Sequence, residues 1–169
     1  MRRAILTLAL SAATFAVSSA SEALAQTTLS FEAEFKESFG RAASKPCEHF
    51  LCGRGTTAGF GAATSTLDIV SFEPIEETNC ADITLARVIT LADGSTLTLD
   101  EDGVVCFPGK SFLAPGSQQS FGNPGTFEGT YTITDGTGVF AGASGTGSTT
   151  FTAAGDAGHS VLSGSLTLP

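Results

Sequence analysis

Tryptophan is absent from the 169-residue chain, histidine occurs only twice, and 8 basic side chains face 17 acidic ones. The shortage of positive charge excludes nucleic acid and anionic membrane surfaces as partners, because both would be repelled. With two histidines no Ser-His-Asp order can be argued, and no G-x-S-x-G elbow stands between a strand and a helix. The only long apolar run, Ala4 to Val17, is too short for a membrane span. After it, helical periodicity is nearly absent.

That early run has its own reading. It follows Met1-Arg2-Arg3 and leads to Ala23-Leu24-Ala25, so a basic start, a short apolar stretch and an A-x-A exit together describe a secretory signal peptide, residues 1–25. Cleavage is expected after Ala25. Gln26 follows and no cysteine lies nearby, so lipid attachment is not available, and a secreted or periplasmic protein is expected. Arg2-Arg3 lacks the following residues of a twin-arginine signal. Cleavage removes Arg2, Arg3 and Glu22 and leaves six basic and sixteen acidic side chains, a formal charge of −10 on residues 26–169. This length suits one domain, and the charge suits solubility outside the cell.

Four cysteines, Cys47, Cys52, Cys80 and Cys106, all lie beyond the cleavage point. An even count in an exported chain reads as two disulfides with three connectivities open. The favoured pairing is Cys47–Cys52 with Cys80–Cys106. The first closes a short Gly-flanked loop, and the second would join neighbouring strands. A zinc reading of Cys47-x-His49-x-x-Cys52 is set aside, because the spacing is irregular and the compartment oxidising.

What the chain does have is period-two alternation and phenylalanine. Leu29, Phe31, Ala33, Phe35, Glu37 and Phe39 share one face of a strand, with Ser30, Glu32, Glu34, Lys36 and Ser38 on the other. Arg41 to Arg54 reads as an irregular loop tied by its own disulfide. Further strands are expected at 56–62, 66–72, 81–91, 96–100 and 104–107. Pro74 should break the ladder, and Asp93-Gly94 and Asp102-Gly103 read as hairpin tips. Residues 108–124 form a long Gly/Pro/Ser loop. A meander of short strands follows at 127–134, 138–143, 147–153 and 160–168. Such spacing argues for a barrel or a sandwich, and a closed barrel would pair the last strand with the first.

The run Tyr131-Thr-Ile-Thr-Asp-Gly-Thr-Gly-Val-Phe-Ala-Gly-Ala-Ser-Gly-Thr-Gly147 resembles the strand-turn-strand ending of the allene oxide cyclase and dirigent-like barrels, and of uncharacterised exported bacterial proteins with similar cysteines. The resemblance covers roughly the last forty residues. It implies an all-β, eight-stranded antiparallel β-barrel enclosing an apolar cavity, often trimeric, in a superfamily whose plant members steer cyclisation or radical coupling of hydrophobic substrates. A β-sandwich is the alternative. No active-site residue of the plant enzymes has a matching position here, so none is carried over.

Several groups invite chemistry. Gly136-x-Gly138-x-x-Ala141 fits a dinucleotide fingerprint, but the following glycines forbid the helix it needs, so a Gly-rich β-turn is expected and no cofactor. Asp100-Glu101-Asp102 lacks the alternation of a calcium loop and reads as a solvated hairpin tip. Glu37 shares its face with three phenylalanines and Arg87 lies on the apolar face of 81–91. If both point inward they pair, since a lone buried charge is too costly; otherwise each sits at the rim in water. Glu37, Arg87 and Tyr131 are the weak catalytic candidates, and His159 is a further polar candidate most simply read as a surface residue. Phe31, Phe35, Phe39, Ile83 and Leu85 are expected to line the cavity, and no metal site is expected. The preferred reading is a non-catalytic exported barrel that binds a small apolar ligand or a partner protein. The alternative is a cofactor-free isomerase or cyclase, and either could act as a homo-oligomer.

Overall fold

In the computed structural model, residues 26–40, 47–107 and 125–169 are described. The expected signal peptide, residues 41–46 of the expected first cysteine loop, and the expected 108–124 loop lie outside the described residues. Eight strands follow one another in sequence: β1 Thr27–Phe39, β2 Leu51–Thr57, β3 Gly61–Pro74, β4 Cys80–Leu91, β5 Thr96–Cys106, β6 Gly125–Gly136, β7 Thr146–Ala154 and β8 Ala157–Leu168. Each pairs antiparallel with the next and β8 pairs with β1, from Thr27 opposite Leu168 to Ser38 opposite Ala157, so the sheet closes into a barrel. Closure removes the sandwich alternative and leaves no strand without two neighbours.

Alternation fixes the register. In β1 Phe31, Ala33, Phe35, Glu37 and Phe39 are buried while Glu32, Glu34 and Lys36 are exposed. A slip of one residue would place the charged set inside. The same phase continues through β4, where Ala81, Ile83, Leu85, Arg87, Ile89 and Leu91 are all buried.

Strands alternate in direction, so connections emerge from two rims. One rim carries the links 58–60, 92–95 and 137–145; the other carries 75–79 and 155–156, together with the ends of β1, β2, β5 and β6. The first is a rim of tight turns. Gly94 takes φ 88° in the Asp93-Gly94 hairpin, with its amide bonded to Leu91 O at 3.1 Å. The second rim holds both disulfides, Cys47–Cys52 and Cys80–Cys106, the expected pairing, and Cys80 and Cys106 are direct cross-strand partners.

Four local expectations are corrected. Asp102-Gly103 is not a tip, because β5 runs unbroken to Cys106. Gly103 lies mid-strand opposite Gly129, and the Phe127 ring covers both, so a Cβ on either would come within 2.8 Å of that ring. Ring cover over strand glycines replaces the packing their missing side chains forgo. Residues 51–54 belong to β2 instead of a loop. The strand expected at 56–62 is divided by the turn 58–60 between β2 and β3, and β3 ends at Pro74 where the break was expected. Finally, 138–143 is not a strand but a single 3-10 turn, Gly138–Phe140, flanked by Gly138 at φ 60° and Gly142 at φ 73°. Its Phe140 is fully buried and tilts against Phe60 at 4.8 Å, so the Gly-rich motif plugs the turn rim.

Candidate functional site

The interior divides into three levels. Toward the turn rim lies an apolar cluster that includes Phe31, Phe35, Ile89, Leu97, Leu99, Phe140, Leu162 and Leu166. Toward the disulfide rim lies a second, with Phe39, Leu51, Leu67, Ile83, Leu85 and Phe127 buried and Phe50, Phe72, Phe107 and Phe151 half-buried against it. The five residues expected to line a cavity lie in these apolar clusters. Between them sits a polar layer: Glu37 from β1, Ser65 from β3, Arg87 from β4, Glu101 from β5, Thr149 from β7 and Ser160 from β8, each at most 2% exposed.

Arg87 is the hub. Its Nη1 donates to Glu37 Oε1 at 2.6 Å and to Ser65 Oγ at 2.7 Å, its Nη2 to Ser160 Oγ at 3.2 Å, and its Nε to Glu101 Oε1. Both serine hydroxyls then donate onward to Glu37, Ser65 to Oε1 at 2.9 Å and Ser160 to Oε2. Thr149 donates to Glu101 Oε2 at 3.3 Å. The Phe35 ring lies 5.9 Å from the guanidinium carbon and adds a cation–π contact. Burial works against the Arg87 charge, but the carboxylates of Glu101 and Glu37 outweigh it and hold its pKa above the ordinary value. Glu37 and Arg87 therefore pair inside the barrel, not at a rim in water.

Sequence reasoning missed Glu101, and with it Ser65, Thr149 and Ser160. A signal was available for Glu101: Leu97, Leu99, Glu101 and Val105 share one phase of β5 and all are buried, whereas Asp100 and Asp102 are exposed. The three consecutive carboxylates thus point to opposite faces, and Asp102 accepts from Thr84 at 2.8 Å on the outside. Ser65 sits in phase with Ala63 and Leu67, and Ser160 with Leu162. Small polar residues in an otherwise apolar phase mark where a buried charge needs partners.

Tyr131 is 1% exposed, and its ring meets Phe31 edge-on at 6.1 Å. It lies over paired glycines: a Cβ on Gly147 or on Gly164 would come 2.5 Å from the phenol oxygen. That oxygen is the buried side-chain polar atom without a hydrogen-bond partner among the described residues. Burial, followed by the nearby Glu101 charge, pushes its pKa up to about 12. His159 lies on the outer surface, 2.7 Å from Glu34 across the β1–β8 pair. His49 similarly meets Asp68 at 2.6 Å, away from the barrel interior.

Chemically, the layer is a set of donors and acceptors already matched to one another. Among the described residues no group of three or more His, Cys, Asp and Glu side chains is arranged to hold a metal ion, and no helix is long and apolar enough to cross a membrane. No family model, curated protein or solved structure matches the chain.

Proposed function

We propose that this chain is an exported barrel that works by binding a protein partner on its outer surface, with the interior serving to hold the barrel rigid. One observation carries the reading: Arg87, Glu37, Glu101, Ser65 and Ser160 spend their hydrogen bonds on each other. A general acid or base needs a substrate within reach of a free proton site, and a carboxylate held by a guanidinium and hydroxyls offers none. An eight-stranded barrel is just wide enough for its own side chains to fill, and the two apolar clusters occupy the space on either side of the layer. Export is supported by the signal-peptide pattern and by two disulfides, which persist in oxidising compartments.

The cyclase reading retains one supporting feature, the unpartnered Tyr131 hydroxyl inside the barrel. A phenol with a pKa pushed up to about 12 is a poor proton acceptor at neutral pH. Native mass spectrometry of the protein purified from its own host tests the proposal. The expected species is the chain from Gln26, four hydrogens lighter for its two bridges, with no small molecule retained. A co-purifying apolar compound would overturn it in favour of ligand carriage or catalysis.

A further inference from the structure

β3 and β4 reach beyond the rest of the disulfide rim. Pairing of β2 with β3 ends at Leu51 opposite Leu67, yet β3 continues to Pro74 against Ala81 of β4. On this arm the register slips between Ile69 and Ser71, a bulge that leaves Val70 unpaired. Ile69 is 39% exposed and Val70 66%, the most exposed large apolar side chain among the described residues. The other exposed ones, Leu29, Val139 and Val161, are scattered singly, which is ordinary for a protein surface. Two adjoining β-branched side chains left exposed where an arm bulges past its neighbours are not ordinary.

The charge around them is one-sided. Glu73 lies directly opposite Asp82, with Glu76 and Glu77 in the connecting turn, all exposed. Like charges directly opposite on paired strands destabilise a sheet, so this arrangement costs the free protein something. No Lys or Arg occurs from residue 55 to residue 86, and Arg87 is consumed inside the barrel. Asp68, nearer the barrel, is already engaged by His49.

We infer that this arm is the docking surface, and that its partner is a protein segment carrying apolar side chains interleaved with Lys or Arg. The inference rests on the partner-binding reading above and supplies the chemistry of the partner. Ile69 and Val70 provide the apolar anchor, and the carboxylates select the charge and speed the encounter. A second copy of the chain is disfavoured, since two arms side by side would set acid against acid. An anionic membrane is disfavoured for the same reason.

The test uses the mature, oxidised protein and two synthetic peptides, one alternating Lys with Leu and one alternating Glu with Leu, with binding read by fluorescence anisotropy. The Lys/Leu peptide should bind, and the Glu/Leu peptide should not. Ile69→Thr/Val70→Thr, which keeps every charge, and Glu73→Gln/Asp82→Asn should each weaken binding roughly tenfold or more, whereas Asp93→Asn/Asp135→Asn, which removes as much charge at the opposite rim, stays within about twofold. Thermal melts confirm that each variant is folded. Equal loss in the Asp93/Asp135 variant would mean diffuse charge attraction only, and unchanged binding in the arm variants would overturn the site. Concentration-dependent dimerisation through the arm would overturn the choice of partner. A retained small molecule in the native mass spectrum would sink the functional reading itself, whereas peptide failure with a clean mass would sink only this assignment.

Discussion

The two apolar clusters on either side of the Arg87 layer are built differently. Toward the turn rim the largest rings, Phe31, Phe35 and Phe140, are fully buried, and the 137–145 link is tied to β8 where Ser144 and Thr167 exchange backbone bonds at 3.0 and 2.7 Å. Toward the disulfide rim four phenylalanines are only half-buried. Both covalent bridges lie at this second rim. Where burial is complete the side chains hold the end closed; where it is partial, cross-links supplement it by restricting the unfolded chain. The surface inferred to bind is at the cross-linked end, which must stay ordered while presenting residues to solvent.

The contrast depends first on the layer between the clusters. Arg87→Met would strand Glu37 and Glu101 without a cation and should cost about 3–5 kcal/mol, read as a lowered urea midpoint or failure to fold. Glu37→Leu/Arg87→Met/Glu101→Leu should recover most of that loss, because it removes the buried charges together. If the single variant were as stable as wild type, the layer would not be the clamp between the two ends.

Cys80→Ser/Cys106→Ser sharpens the comparison. A closed loop of this separation, 26 residues, should lose about 3 kcal/mol. Hydrogen exchange should quicken at Ala81 and Val105 beside the bridge and leave Leu97 and Leu166 near the turn rim protected up to global unfolding. Equal acceleration at both rims would show that they unfold as one unit.

Tyr131→Phe probes the turn-rim cluster with a smaller effect. The hydroxyl is buried and makes no hydrogen bond among the described residues, so its removal should raise stability at neutral pH by about 1 kcal/mol. The alkaline side differs. The folded phenol keeps its proton to about 12 while the unfolded one ionises near 10.0, so Tyr131 contributes stability that is complete below pH 10 and lost as pH rises toward 12. Tyr131→Phe should lack this loss in urea titrations across that window.

The smallest effect belongs to Asp68 at the opposite rim. Though slight burial opposes it, bonds from the His49 ring and the Phe50 amide lower its pKa below 3.8. Its contribution is therefore present above that value and fades as pH falls through the folded pKa. The pair is about half-exposed, so Asp68→Asn should shift the acid midpoint only slightly.

Much of this architecture is legible in the chain because a strand's period is two. Alternating apolar and polar residues in β1 and β4 fix which side faces inward whatever the neighbours are, and Asp93-Gly94 specifies its turn locally. Closure through β1 and β8 and both disulfides were also within reach of sequence reasoning. What only the tertiary structure decided depends on partners distant in sequence. Gly103 is a strand residue because the Phe127 ring lies over it, and Gly138–Phe140 is a turn because Phe140 finds a seat against Phe60 at the barrel's end. Whether Glu37 and Arg87 lay in water or in the core turned on Glu101, Ser65 and Ser160 arriving from three other strands to satisfy them. Periodicity sets the face a side chain takes, but only closure of the barrel brings it the partners that make burying a charge tolerable.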